Sequence, residues 1–197
     1  MKIKYPLILA SQSPRRIQLL NDRGFNPIIR PANIDEDLDP MTDPRQTAAG
    51  YAAEKARVVM EQVRNQEFIV LGCDTIVVID DQVLGKPRDP DQAAEYLKCL
   101  SNRWHTVLTG ICVALSHDDR SITQVVETQV RFRELSLPLI GYYLDHGHPL
   151  DKAGAYGIQD WGAFFIDEIK GCFFNVMGLP LNVFLKSLEI LELIDWN

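Results

Sequence analysis

Two hydrophobic rhythms alternate along the chain, one of short apolar runs and one of helical spacing. Pro6-Leu-Ile-Leu-Ala10 is an apolar run bounded by polar residues and predicts a buried strand. It breaks at Ser11-Gln-Ser13-Pro14, where Ser13 is placed to cap a helix with Pro14 in its first position. That helix runs to about Arg23, and Gly24 ends it. Asp43-Pro44-Arg-Gln46 repeats the start signal and predicts a helix to about Val63. Phe68 to Ile79 is rich in β-branched residues and reads as a strand that turns back through Asp80-Asp81-Gln82 as a hairpin. Asp89-Pro90 opens a third helix, to about Leu100. Strands over roughly 105–115 and 123–133 flank a polar turn at His117. A helix near 138–146, a loop, a strand at 163–169 and a final helix from Pro180 follow. Strands and helices mix without strict alternation, which predicts an α/β or α+β fold with a long mixed sheet and helices around it. No repeat, low-complexity tract or linker interrupts the pattern, so residues 1–197 read as one domain.

Composition narrows the class. With 46% hydrophobic and 24% charged residues, the chain falls outside disordered, collagen-like and coiled-coil compositions. Its 197 residues suffice for a core without disulfides or a structural metal. Cys73, Cys99, Cys112 and Cys172 form no Cys-x-x-Cys pair, so neither a zinc ribbon nor a redox motif is present. The first residues lack a signal-peptide pattern, and no apolar run reaches the ~20 residues of a membrane span. The expected setting is a reducing cytoplasm, without a membrane partner. A net charge of −7 also argues against a duplex nucleic-acid partner. That charge is uneven. Residues 1–34 carry Lys2, Lys4, Arg15, Arg16, Arg23 and Arg30 against Asp22 alone, a surplus of five, so the remainder carries −12.

The chemistry-bearing residues fall in a few segments. Ser11, Ser13, Arg15 and Arg16 surround a strand-to-helix junction, where free amide groups and the helix dipole suit a phosphate. Arginine grips phosphate bidentately. The alternative is a capped helix with two solvated arginines; a P-loop is excluded because G-x-x-x-x-G-K-[ST] is absent. Asp74 interrupts an apolar strand, which is costly unless the carboxylate is paired, binds a metal or is solvated. It therefore reads as a general base or metal ligand, against a structural, hydrogen-bonded Asp. Gly85-Lys86-Pro87-Arg88 puts two cations on a constrained loop. Glu54-Lys55 reads as a solvated pair on a helix, and Asp35-Glu36-Asp37 as a solvated acidic loop unless a divalent cation joins it to phosphates. Asp151-Lys-Ala-Gly-Ala-Tyr-Gly-Ile-Gln159 joins two glycines, a charged pair and an amide able to read a base edge. His146-Gly-His148 reads as an exposed turn.

Together these segments resemble the Maf family of nucleoside triphosphate pyrophosphatases, nearly end to end. The resemblance rests on Leu-Ile-Leu-Ala-Ser-Gln-Ser-Pro-Arg-Arg, Ala-Ala-Glu-Lys-Ala, Gly-Cys-Asp-Thr-Ile-Val, Gly-Lys-Pro, Leu-Thr-Gly, Asp-Lys-Ala-Gly-Ala-Tyr-Gly-Ile-Gln and Gly-Leu-Pro-Leu, in the family's order. It implies an elongated α/β fold, a mixed sheet flanked by helices with two lobes and a central cleft, and commonly a homodimer. It implies hydrolysis of a nucleoside triphosphate to monophosphate and pyrophosphate with a divalent cation, Mg²⁺ or Mn²⁺. Asp74 matches the family's proton acceptor. Ser11, Ser13, Arg16, Lys55 and Lys86 would contact phosphates, while Glu36 and Asp74 would hold the metal, a role that Asp35 could share with Glu36. The subgroup positions are Arg15, Thr75 and Gln159, which resemble the dTTP/UTP-specific subgroup. Two rival readings stay open: a nucleotide-binding regulator of septation without turnover, and a member selective for 7-methyl-GTP or a damaged purine nucleotide.

Overall fold

The computed structural model describes residues 1–34, 43–118 and 120–196. The chain forms a two-stranded pair and a mixed seven-stranded sheet, with helices packed on it. The pair joins β1 (Lys2–Ile3) to β9 (Ile194–Asp195), antiparallel. The sheet runs β3 (Ile28–Ile29), β2 (Leu7–Leu9), β4 (Ile69–Ile79), β6 (Trp104–Leu115), β7 (Ser121–Phe132) and β8 (Ile166–Lys170). Strand β5 (Gln82–Leu84) pairs with β4 at its side. Strand β2 pairs in parallel with both β3 and β4, whereas β4–β5 and β7–β8 are antiparallel. The expected mixed α/β architecture is therefore present.

The fold divides into two compact units. The first comprises Met1–Asp74, Thr109–Val126 and Gly178–Asn197. Its helices are α1 (Pro14–Asn21), α2 (Pro44–Gln62) and α6 (Leu181–Ile190). A core of Ile8, Ala10, Ala52, Ala56, Val59, Val63, Val70, Cys112 and Ala114 joins α2 to the strands. This helix starts as expected. Asp43 caps it by accepting from the Arg45 N–H at 3.1 Å, and Pro44 fills the first position, whose N–H has no helical partner in any case.

The second unit comprises Thr75–Leu108 and Glu127–Met177. It holds α3 (Pro90–Leu100), α4 (Leu137–His146) and the four-residue α5 (Phe173–Val176). Its core centres on Leu97, Leu100, Val107, Phe132, Ile140, Tyr143, Tyr156 and Phe165. The β4–β5 hairpin turns on Asp80 and Asp81, both left-handed at φ 48° and 61°, the conformation that a tight two-residue turn requires. The short helix α5 is not predicted by the sequence, and the strand expected at 163–169 starts only at Ile166. Residues Trp161–Phe165 form a 3₁₀ turn instead, because the Asp160 carboxylate accepts the Gly162 N–H at 3.0 Å and caps it. All four cysteines are free, and among the described residues no helix is long and apolar enough to cross a membrane.

Candidate active site

Helix α2 and strand β4 meet at unusually close range in the first unit. A Cβ built on Gly72 would lie 2.1 Å from the Ala52 carbonyl oxygen and 2.9 Å from the Ala56 amide nitrogen. On Gly110 of β6 it would lie 1.9 Å from the Ala48 carbonyl oxygen. The helix backbone thus rests directly on two strands, which only glycine opposite a run of small helical residues permits. Strand side chains alternate, so Asp74 points to the same face as Gly72, two residues earlier. On that face Lys55, one residue before Ala56, reaches it. Lys55 Nζ donates to Asp74 Oδ1 at 2.7 Å, and both residues are buried, at 8% and 6% exposure. The solvated reading of Lys55 is corrected: its ammonium is the counter-charge that makes a carboxylate in an apolar strand tolerable. Glu54 behaves as expected of a surface residue and pairs with Arg57 at 2.6 Å.

Parallel pairing brings the end of β2 alongside this stretch of β4, with the Ala10 N–H donating to the Leu71 carbonyl at 2.9 Å. The Ser11–Ser13 turn leaves from there into α1. Ser13 stands at the N-cap, but its hydroxyl makes no cap bond; instead Ser11 Oγ accepts the Ser13 N–H at 3.2 Å. Arg16 is 8% exposed, so the reading of two solvated arginines fails for it. Its Nη1 donates to Ser11 Oγ at 3.1 Å and its Nε to the Gly178 carbonyl at 2.8 Å. A guanidinium held this way is oriented before any ligand arrives. Arg15 beside it is half-buried. Burial pushes the Cys73 thiol up to about 11, and the charges of Arg16 and Lys55 offset part of that rise. A thiol so raised is inert as a nucleophile.

The second unit holds Thr75, Lys86 and Gln159. Thr75 is half-buried, while Lys86 and Gln159 are exposed. The loop carrying Lys86 and the stretch leading to Gln159 are tied together by the Gly154 N–H, which donates to the Gly85 carbonyl at 3.0 Å. Gly154 is left-handed at φ 65°, and a Cβ there would meet Val77 at 2.9 Å, so the chain needs glycine to lie this close to β4. Glu36, with its neighbours Asp35 and Asp37, lies outside the described residues. Among the described residues no group of three potential ligands could enclose a metal ion. Asp74, with Oδ1 held by Lys55, is a hard oxygen donor of the kind that Mg²⁺ accepts, an ion that keeps waters and takes substrate phosphates as its other ligands.

Residues 6–191 match the family described as Maf-like protein. A dTTP/UTP pyrophosphatase of Acetivibrio thermocellus is 43% identical over 180 residues, covering 89% of this chain and 90% of that protein. One of Thermotoga maritima is 42% identical, covering 90% and 85%, and one of Thermococcus onnurineus is 42% identical, covering 93% and 97%. A solved nucleoside-triphosphatase / dITP/XTP pyrophosphatase of Mycobacterium abscessus aligns over 95% of this chain and 97% of that one, at TM-score 0.45 and 12% identity.

Proposed function

This chain belongs to the Maf family, and from that premise we propose that it is a nucleoside triphosphate pyrophosphatase that hydrolyses dTTP and UTP to the monophosphate and pyrophosphate. The observation that carries the chemistry is the buried Lys55–Asp74 pair at 2.7 Å. In this reading water attacks the α-phosphorus, the Asp74 carboxylate takes its proton, and the bond to the β-phosphate oxygen breaks. The triphosphate must be neutralised for that attack, and pyrophosphate must be held as it leaves. Arg16, Ser11, Ser13, Lys55 and Lys86 are assigned to the phosphates. The preset guanidinium of Arg16 supports this, since donors fixed beforehand need no reorganisation during the reaction. A divalent cation, Mg²⁺ or Mn²⁺, held by Asp74 and Glu36 with Asp35 sharing the role of Glu36, would neutralise phosphate charge when bound. The family likeness further supports one Maf-like domain over residues 1–197, working in the cytoplasm as a homodimer.

Substrate choice is assigned to Arg15, Thr75 and Gln159. Thymine and uracil present an N3–H donor flanked by carbonyl acceptors, and a Gln amide supplies a matching acceptor and donor. Cytosine reverses part of that pattern and leaves a polar group unpaired, at a cost of about 1–3 kcal/mol, or roughly tenfold or more in selectivity. The test is pyrophosphate release from dTTP, UTP, CTP, ATP, GTP and 7-methyl-GTP, with Mg²⁺ or Mn²⁺ and again with excess chelator. We expect dTTP and UTP to lead, activity to vanish in chelator, and Gln159→Glu to erode the preference more than the rate. Preference for a purine triphosphate, or an unchanged ranking in Gln159→Glu, would overturn the substrate assignment. No turnover of any triphosphate would favour a binding regulator.

A further inference from the structure

Lys152 has no part in the chemistry above, yet its ammonium is buried at 5% exposure and fully engaged. Its three N–H donors reach the Gly147 carbonyl at 2.9 Å, the His148 carbonyl at 2.6 Å and Asp151 Oδ1 at 2.8 Å. Gly147 is the C-cap of α4, so the cation sits where the helix dipole is negative. From the other side Asp160 Oδ2 approaches to 3.5 Å. That carboxylate is itself fixed, because its second oxygen accepts the Gly162 N–H. The backbone is wrapped tightly around the pair. A Cβ on Gly157 would lie 2.5 Å from Asp160 Oδ2 and 2.9 Å from Lys152 Cε. Between these anchors stand Ile158, buried at 4%, and then Gln159, exposed. Gln159 is thus held out from a backbone pinned immediately before it by a buried side chain and immediately after it by a capped, ion-paired carboxylate.

We propose that Lys152, through Asp160, is a positioning residue for substrate selection: it ties the end of α4 to the backbone on either side of Gln159, so that the amide meets the base in one register. This rests on the assignment of Gln159 to base reading. A loosened Gln159 still offers its amide but adapts to more than one base edge, so discrimination falls before turnover does.

The experiment measures kcat and KM for dTTP and CTP, with thermal unfolding, on the wild type, Lys152→Met, Asp160→Asn and Gln159→Glu. Lys152→Met should lower the dTTP-over-CTP ratio of kcat/KM by about tenfold, through KM for dTTP more than through kcat. Asp160→Asn keeps an oxygen for the Gly162 N–H but loses the charge, and should shift the ratio in the same direction by less. It decides the matter alone if Lys152→Met does not fold. Variants that melt earlier yet keep the wild-type ratio would show a purely structural lysine and overturn the proposal, even with Gln159→Glu altering the ranking. A Gln159→Glu protein with unchanged ranking would instead bring down the underlying assignment.

Discussion

Replacing Lys55 with methionine isolates the feature on which the site depends. The substitution keeps most of the side-chain volume under α2 and removes the ammonium, leaving the Asp74 carboxylate buried without the partner it has at 2.7 Å. At an effective dielectric of about 20, two unit charges at that separation attract by about 6 kcal/mol. Much of that offsets the cost of taking both ions out of water. The measurable quantity is therefore the cost of leaving one charge uncompensated, about 3–5 kcal/mol for a buried pair. Urea unfolding at pH 7 should show a loss in this range. A double-mutant cycle gives the sharper reading: adding Asp74→Asn to Lys55→Met removes the stranded charge, so the double variant should be more stable than Lys55→Met alone. A loss below about 1 kcal/mol, the level of an exposed pair, together with additive effects in the cycle would refute the reasoning.

Two further predictions concern the frame around this pair and a second buried group. Gly72→Ala sets a methyl 2.1 Å from the Ala52 carbonyl, so α2 must shift. Thermal unfolding should show a loss of at least about 1–3 kcal/mol, and turnover should fall with it as Lys55 is drawn from Asp74; a variant of wild-type stability and activity would contradict the close approach. His105 is buried against Phe132, its Nε2 lies 2.8 Å from the Tyr156 hydroxyl, and burial pushes its pKa down from 6.5 to about 3. Below pH 6.5 the unfolded chain takes up a proton that the folded chain refuses, so this stability is present above 6.5 and lost as pH falls toward 3. Between about pH 7 and pH 5 the wild type should lose about 2 kcal/mol more than His105→Gln in urea unfolding, and equal losses would exclude His105 as the titrating group.

What the sequence revealed tracks how local each signal is. Helix α3 begins and ends where Asp89-Pro90 and Leu100 place it, because its cap, the Asp89 carboxylate accepting the Gln92 N–H at 2.7 Å, lies within four residues. The two-residue strands β1 and β9 are invisible to periodicity, since each exists only through a partner at the other end of the chain. Ser11, Arg16 and Asp74 were legible as unusual residues in their local settings. Their distant partners were not. Lys55 in α2 looks like any helical surface lysine until Gly72 and Gly110 are seen to let that helix down onto the strands. Arg16 looks solvated until the Gly178 carbonyl arrives from 162 residues away. Lys152 carried a sequence signal in the charged Asp151-Lys152 pair among glycines, but its engagement with the end of α4 needed the folded chain.

The central claim is that Asp74 drives cleavage at the α-phosphorus of dTTP, and product analysis with wild type and Asp74→Asn tests it most directly. The wild type should release pyrophosphate and dTMP in equal amounts. Asp74→Asn keeps the shape and a hydrogen-bond acceptor for Lys55 but leaves its ammonium without a counter-charge, so it should be less stable, and in the folded protein turnover should fall by at least ~10²-fold, the scale of losing a general base. Orthophosphate as the product, or near-wild-type turnover in folded Asp74→Asn, would contradict the account.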